Sequence, residues 1–127
     1  MTLTDKVRAL VHKDPAKARK ALAALVRKAL ELTPSGIEQT PWKAMAAIEM
    51  SLPGQYEALQ AVESLWTKMD TNPAFQEALY ALQSFADFCS TGSEEDAIET
   101  AESVELAFSY VYGDLLYDPG LLKLLER

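Results

Sequence analysis

NPAFQEALYALQSFADFCSTGSEEDAIETAESVELAFSYVYG, residues 72–113, holds two long helices together with their punctuation. Asn72 before Pro73 is a helix start. The Asn side chain accepts a hydrogen bond from an otherwise orphaned backbone N–H, and proline at the first helical position gives up no intrahelical bond. From there Phe75, Leu79, Leu82, Phe85, Ala86 and Cys89 recur at threes and fours, the spacing of a helix that faces a core. Gly92 stops that helix. Ser93 followed by Asp96 opens the next in a capping-box-like arrangement, with Asp where Glu or Gln is usual. Its stripe is Ala97, Ala101, Val104, Phe108 and Val111, and Gly113 ends it.

The same signals repeat outward along the chain. Asp14-Pro15, Thr40-Pro41 and Asp118-Pro119 are further starts; Thr33-Pro34-Ser35-Gly36 and Ser51-Leu52-Pro53-Gly54 are stops. They predict helices over 4–12, 15–32, 41–51, 54–69, 73–90 and 94–112, and a short last one over 119–126. The second carries the stripe Ala18, Leu22, Leu25, Ala29 and Leu32; the fourth carries Tyr56, Leu59, Val62, Leu65, Trp66 and Met69. No segment alternates with period two, so no strand is expected. The interval of 32 residues from Pro41 to Pro73 suggests a repeat, but the segments that follow do not align, which argues against a solenoid. The expected fold is all-α: one domain over residues 1–127, a bundle of six to seven helices. Short connections should pack it as three antiparallel helical hairpins.

Composition narrows the class. The 127 residues are 49% apolar and 24% charged, the profile of a folded chain with a core and not of a disordered one. A single cysteine, Cys89, rules out an intrachain disulfide and a cysteine-built zinc site. The opening Met-Thr-Leu-Thr-Asp leads into no signal-peptide core, and no apolar run approaches a bilayer span, so the expected location is cytoplasmic with no membrane partner.

Charge is divided along the chain. Residues 1–36 hold Lys6, Arg8, Lys13, Lys17, Arg19, Lys20, Arg27 and Lys28 against Asp5, Asp14 and Glu31, a net of +5. Residues 37–127 hold four basic and sixteen acidic side chains, a net of −12, and the two parts give the overall −7. The acids crowd at Glu94-Glu95-Asp96, Glu99, Glu102 and Glu105. An overall negative charge opposes approach to nucleic acid, whose affinity for proteins comes mainly from basic groups. Lys17, Lys20, Arg27 and Lys28 lie opposite Leu22 and Leu25 and read as a solvated or internally paired face.

Chemistry is hard to find. His12 is the only histidine and has no ligand spacing around it, so neither a metal nor a cofactor is expected. Cys89 lies on an apolar stripe and reads as structural, not as a nucleophile activated by His12. The paired acids at the start of the sixth helix match the positive end of its dipole and sit in water, unsuited to general acid–base work. An enzyme would need Glu49, Glu57 or Glu63 buried in a pocket. None of the five glycines builds a phosphate-cradling loop.

The sixth helix has one face that a core does not explain. At about 100° per residue, Glu95, Glu99 and Glu102 fall on one line opposite the core stripe, with Leu106 and Tyr110 on or beside it and Ile98 at its edge. Acid around an apolar anchor combines steering with a desolvated hot spot. The expected partner-binding residues are Glu95, Glu99, Glu102, Leu106 and Tyr110, with Asp114, Tyr117 and Asp118 on the turn beyond. The function expected is that of a non-enzymatic, acidic, protein-binding inhibitor. It would be of the immunity or antitoxin kind, monomeric or weakly dimeric, neutralising a basic partner such as a bacterial toxin. The alternative is a helical adaptor or secretion-type chaperone, marked by a broad groove of methionine and leucine around Met45, Met50 and Met69.

Overall fold

The computed structural model describes residues 2–32, 40–50, 55–63 and 72–112. Six helices and no strands are found among them: α1 (Leu3–Lys13), α2 (Pro15–Leu30), α3 (Thr40–Glu49), α4 (Gln55–Glu63), α5 (Pro73–Thr91) and α6 (Glu94–Tyr112). The chain is all-helical, with the buried residues of these helices joined in one core. The expected continuation of α4 to residue 69, with Leu65, Trp66 and Met69, and the last helix over 119–126 lie outside the described residues.

Helix starts follow local chemistry. The Lys17 N–H donates to Asp14 Oδ1 at 3.1 Å, and the Phe75 N–H to Asn72 Oδ1 at 3.0 Å, each just before a proline. Gly92 takes the left-handed conformation at φ 69° and its N–H returns to the Phe88 carbonyl, ending α5. Between α5 and α6 the side chains depart from the expected box. Ser93 Oγ accepts from the Glu95 N–H at 3.2 Å, while Asp96 accepts from the Thr91 hydroxyl at 2.6 Å instead of reaching back to Ser93. The Asp side chain is one methylene shorter than Glu, and Thr91 offers it a nearer donor. A true capping box stands at α1, where Thr2 and Asp5 exchange side-chain-to-backbone bonds at 3.1 and 3.3 Å. It extends α1 beyond the expected 4–12.

Packing centres on α5, whose most extensive contact is with α6, followed by α2. Ala74, Phe75, Ala78, Leu79, Ala81, Leu82, Phe85 and Phe88 are all buried, so α5 buries half its circumference and not a narrow stripe. α6 answers with Ala97, Ala101, Val104, Ala107 and Phe108, where the alanines permit close approach. Buried Thr100 donates its hydroxyl to the Asp96 carbonyl at 2.8 Å and so leaves no unmet proton. Sequential pairing describes only part of the arrangement. α1 touches α2, but its larger contact is with α6, and the larger contact of α2 is with α5.

Two expected core residues are exposed. Tyr56, near the start of α4, is 70% exposed. The buried arc of α4 centres on Val62 with Ala58 and Leu59 beside it, and Tyr56 is turned about 120° from Val62 at 100° per residue. Val111 is 48% exposed, in the last turn of α6. The start of α1 lies level with Glu105 to Ser109, so that last turn projects past it.

Candidate protein-binding face

α1 runs antiparallel to α6, as its two ends show. Thr2 and Thr4 lie beside Glu105, Leu106 and Ser109, and at the other end Arg8 Nε and His12 Nε2 reach Glu94 Oε1 at 3.0 and 3.3 Å. Glu94 thus opens α6 where the dipole favours an anion, and Arg8 and His12 of α1 meet it. His12, expected as a surface residue at a helix end, is 69% exposed there.

Other basic groups of the first 36 residues also have internal work. Arg27 pairs with Glu49 Oε2, and Lys28 Nζ stands 3.4 Å from Glu31. Arg19 donates to the Ile48 and Glu49 carbonyls at 3.2 and 3.4 Å, closing the end of α3. Its position could have been read from the chain: Arg19 precedes Leu22 and Ala23 by one turn and Val26 by two, so it projects from the core side of α2. The charged-face reading of α2 missed this.

The outer line of α6 differs. Glu95, Glu99 and Glu102 are exposed. Among the described residues their carboxylates make no hydrogen bond or ion pair. Leu106 follows at 47% exposure and Tyr110 at 56%, so the structure brings all five residues onto one solvent-facing surface. Tyr112 is exposed as well and stacks on Phe108 with ring centroids 5.8 Å apart and planes 15° from parallel, which ties the aromatic end of α6 to its core face. Asp114, Tyr117 and Asp118 lie outside the described residues.

Beside this line runs a groove of about 350 Å³, lined by Thr2, Thr4, Glu102, Glu105, Leu106 and Ser109. Glu105 is half-buried, and its carboxyl is raised above the usual range, first by burial and then by the charge of Glu102. The groove was missed in the sequence because one side of it comes from the capping turn of α1, about a hundred residues away in the chain.

The remaining chemical candidates are scattered. Glu57 and Glu63 are exposed, and Gln83 Nε2 donates to Glu63 at 3.5 Å. Glu49 is mostly covered; one oxygen meets Arg27, and the other is buried without a hydrogen-bond partner. Burial pushes the half-buried Cys89 thiol up, with Arg19 beside it acting in the opposite sense. A raised thiol is a poor nucleophile, and Cys89 stands by Arg19 and Glu49 while His12 reaches Glu94. Of the methionines, Met45 is in the core, Met50 is exposed at the end of α3, and Met69 lies outside the described residues. No helix among the described residues is long and apolar enough to cross a membrane. No family model, curated protein or solved structure matches this chain.

Proposed function

We propose that the protein is a non-catalytic inhibitor that docks the outer face of α6 onto a basic protein partner, in the manner of an immunity protein or antitoxin. The observation that carries this reading is the contrast between the two sets of charges. Arg8, Arg19 and Arg27 of α1 and α2 are engaged at helix junctions, whereas Glu95, Glu99 and Glu102 are unpaired among the described residues and surround exposed Leu106 and Tyr110. Such a face steers a cationic partner through its carboxylates and holds it through desolvation of the two anchors. A nuclease-like toxin, whose active site must be basic to hold a polyanion, fits this surface by charge. The inhibitor would occupy the place of the nucleic acid.

The chaperone alternative draws less support, since Met45 is core and Met50 stands apart from the α6 face. The test uses co-expression with the product of the adjacent reading frame. The parent chain should form a complex with that product and relieve its toxicity, and a chain with Glu95, Glu99 and Glu102 all changed to lysine should fold yet fail to protect. Equal protection by both chains, or no complex with the parent, refutes the proposal.

A further inference from the structure

Among the described residues, the groove between the start of α1 and the second half of α6 is lined mostly by acceptors. Glu102 and Glu105 supply two carboxylates three residues apart. The Ser109 hydroxyl donates its proton to the Leu106 carbonyl at 2.8 Å, so only lone pairs remain for a visitor. Thr2 Oγ1 accepts from the Asp5 N–H at 3.1 Å and shares a hydrogen bond with Thr4 Oγ1 at 3.1 Å, which uses one of the two hydroxyl protons internally. Among the described residues no cationic side chain pairs with Glu102 or Glu105. The dipole of α1 offsets part of their charge, and its capping box meets the Thr2 and Asp5 amides. The groove therefore has negative charge, a rim of lone pairs and an apolar wall at Leu106. It is also continuous with the docking face, because Glu102 and Leu106 belong to both.

We propose that this groove receives an arginine side chain of the basic partner, its guanidinium between Glu102 and Glu105 and its methylene stem along Leu106. The inference rests on the docking reading of α6. A guanidinium suits the lining better than an ammonium does. It brings five donors in a planar fork against three on a point charge, and two carboxylates with surrounding hydroxyls can answer more than three. Its weaker hydration also lowers the cost of entering a half-buried site.

The test needs no identified partner. Nα-acetyl-arginine methylamide is titrated into the isotope-labelled full chain at low salt while backbone amide resonances are followed. The lysine and citrulline counterparts are titrated in parallel. The arginine compound should give saturable shifts at Thr4, Glu105 and Ser109. The lysine compound should bind about tenfold more weakly, the loss expected for forgone charge-assisted bonds. Citrulline, with the same shape and no charge, should give no saturable shift. A Glu102→Gln, Glu105→Gln double variant should lose the response while its amide dispersion shows an intact fold. Equal responses to arginine and citrulline, no saturation, or shifts as large at Glu95 and Glu99 as in the groove overturn the inference. A basic partner that binds α6 and leaves the groove amides unmoved also overturns it, with the docking reading intact. Saturable arginine binding by a chain that captures no protein supports the groove and refutes the inhibitor.

Discussion

Phe85→Ala, measured beside Leu106→Ala and Tyr110→Ala, separates the core from the proposed docking face in one experiment. Phe85 is fully buried at the centre of α5. A phenylalanine of this kind removes roughly 150–250 Å² from water, worth ~4–6 kcal/mol at about 25 cal/mol per Å² before the compactness of the unfolded chain is discounted. Measured Phe-to-Ala losses of ~3–5 kcal/mol, with the cavity included, bracket the expected value. For a chain of this length that lowers the melting temperature by on the order of 10–20 °C. Leu106 and Tyr110 stand about half exposed on the opposite side of α6, so each truncation should change stability by no more than about 0.5 kcal/mol. Urea unfolding followed by far-UV circular dichroism and by tyrosine and tryptophan fluorescence reads all three variants on one scale. A Phe85→Ala loss below about 1 kcal/mol would refute the packing described for α5. A Tyr110→Ala loss of several kcal/mol would make Tyr110 a core residue and remove it from the docking face.

Three further outcomes follow. Asn72→Ala should cost ~0.5–2 kcal/mol in urea unfolding while Asn72→Asp stays near the parent, because only the bond to the Phe75 N–H is at stake; equal losses would mean that the side chain does not act as a cap. Glu105 has a raised carboxyl, so the folded state holds its proton more tightly than the unfolded chain, and ionisation costs stability above the folded value. Glu105→Gln should therefore be the more stable chain at neutral pH, with the difference fading as pH falls toward the unfolded glutamate value of about 4.3; a gap that widens on acidification would reverse the assigned cause. Changing Glu95, Glu99 and Glu102 to lysine should slow association with the basic partner strongly at low salt and much less at high salt, whereas Tyr110→Ala should speed dissociation; stopped-flow rates that respond alike to both changes would argue against separate steering and anchoring.

Elements were legible wherever the signal was local. Asn72-Pro73 and Asp14-Pro15 each carry a cap and a first-turn proline, and both act as read. Gly92 is the stop it was expected to be, because only a left-handed residue closes α5 there at no steric cost. Legibility fell where a second helix decided the outcome. Tyr56 is compatible with an apolar stripe by spacing alone, yet burial in α4 centres on Val62, and the packing of α4 against α3 helps to select which part of the arc is covered. Ser93 and Asp96 have the spacing of a capping box, but Thr91 competes for the carboxylate from across the turn. The outer line of α6 was legible because five residues at helical spacing share one exposed surface. The groove beside it needed the capping turn of α1.

The division of charge along the chain takes on a different meaning once folded. A net positive segment and a net negative one suggest two electrically distinct halves, but α1 and α2 pack against helices from the acidic remainder. Arg8 and His12 close onto Glu94, Arg27 onto Glu49, and Arg19 onto the last carbonyls of α3, so the early bases tie α1 to α6 and α2 to α3. Exposed pairs of this kind contribute only about 0–1 kcal/mol each, so their effect on stability is small. Their effect on the field is larger. Arg8 and Arg27 are committed to acids away from the outer face of α6, whose carboxylates are left unopposed among the described residues. At physiological ionic strength the screening length is about 8 Å, so an incoming partner senses chiefly the charges of the face it approaches. Around Glu95, Glu99 and Glu102 those charges are negative, and the anchors Leu106 and Tyr110 lie among them. On the proposed reading a cationic surface would be drawn to the face that can hold it, and Arg8, Arg19 and Arg27 would promote this by being engaged elsewhere.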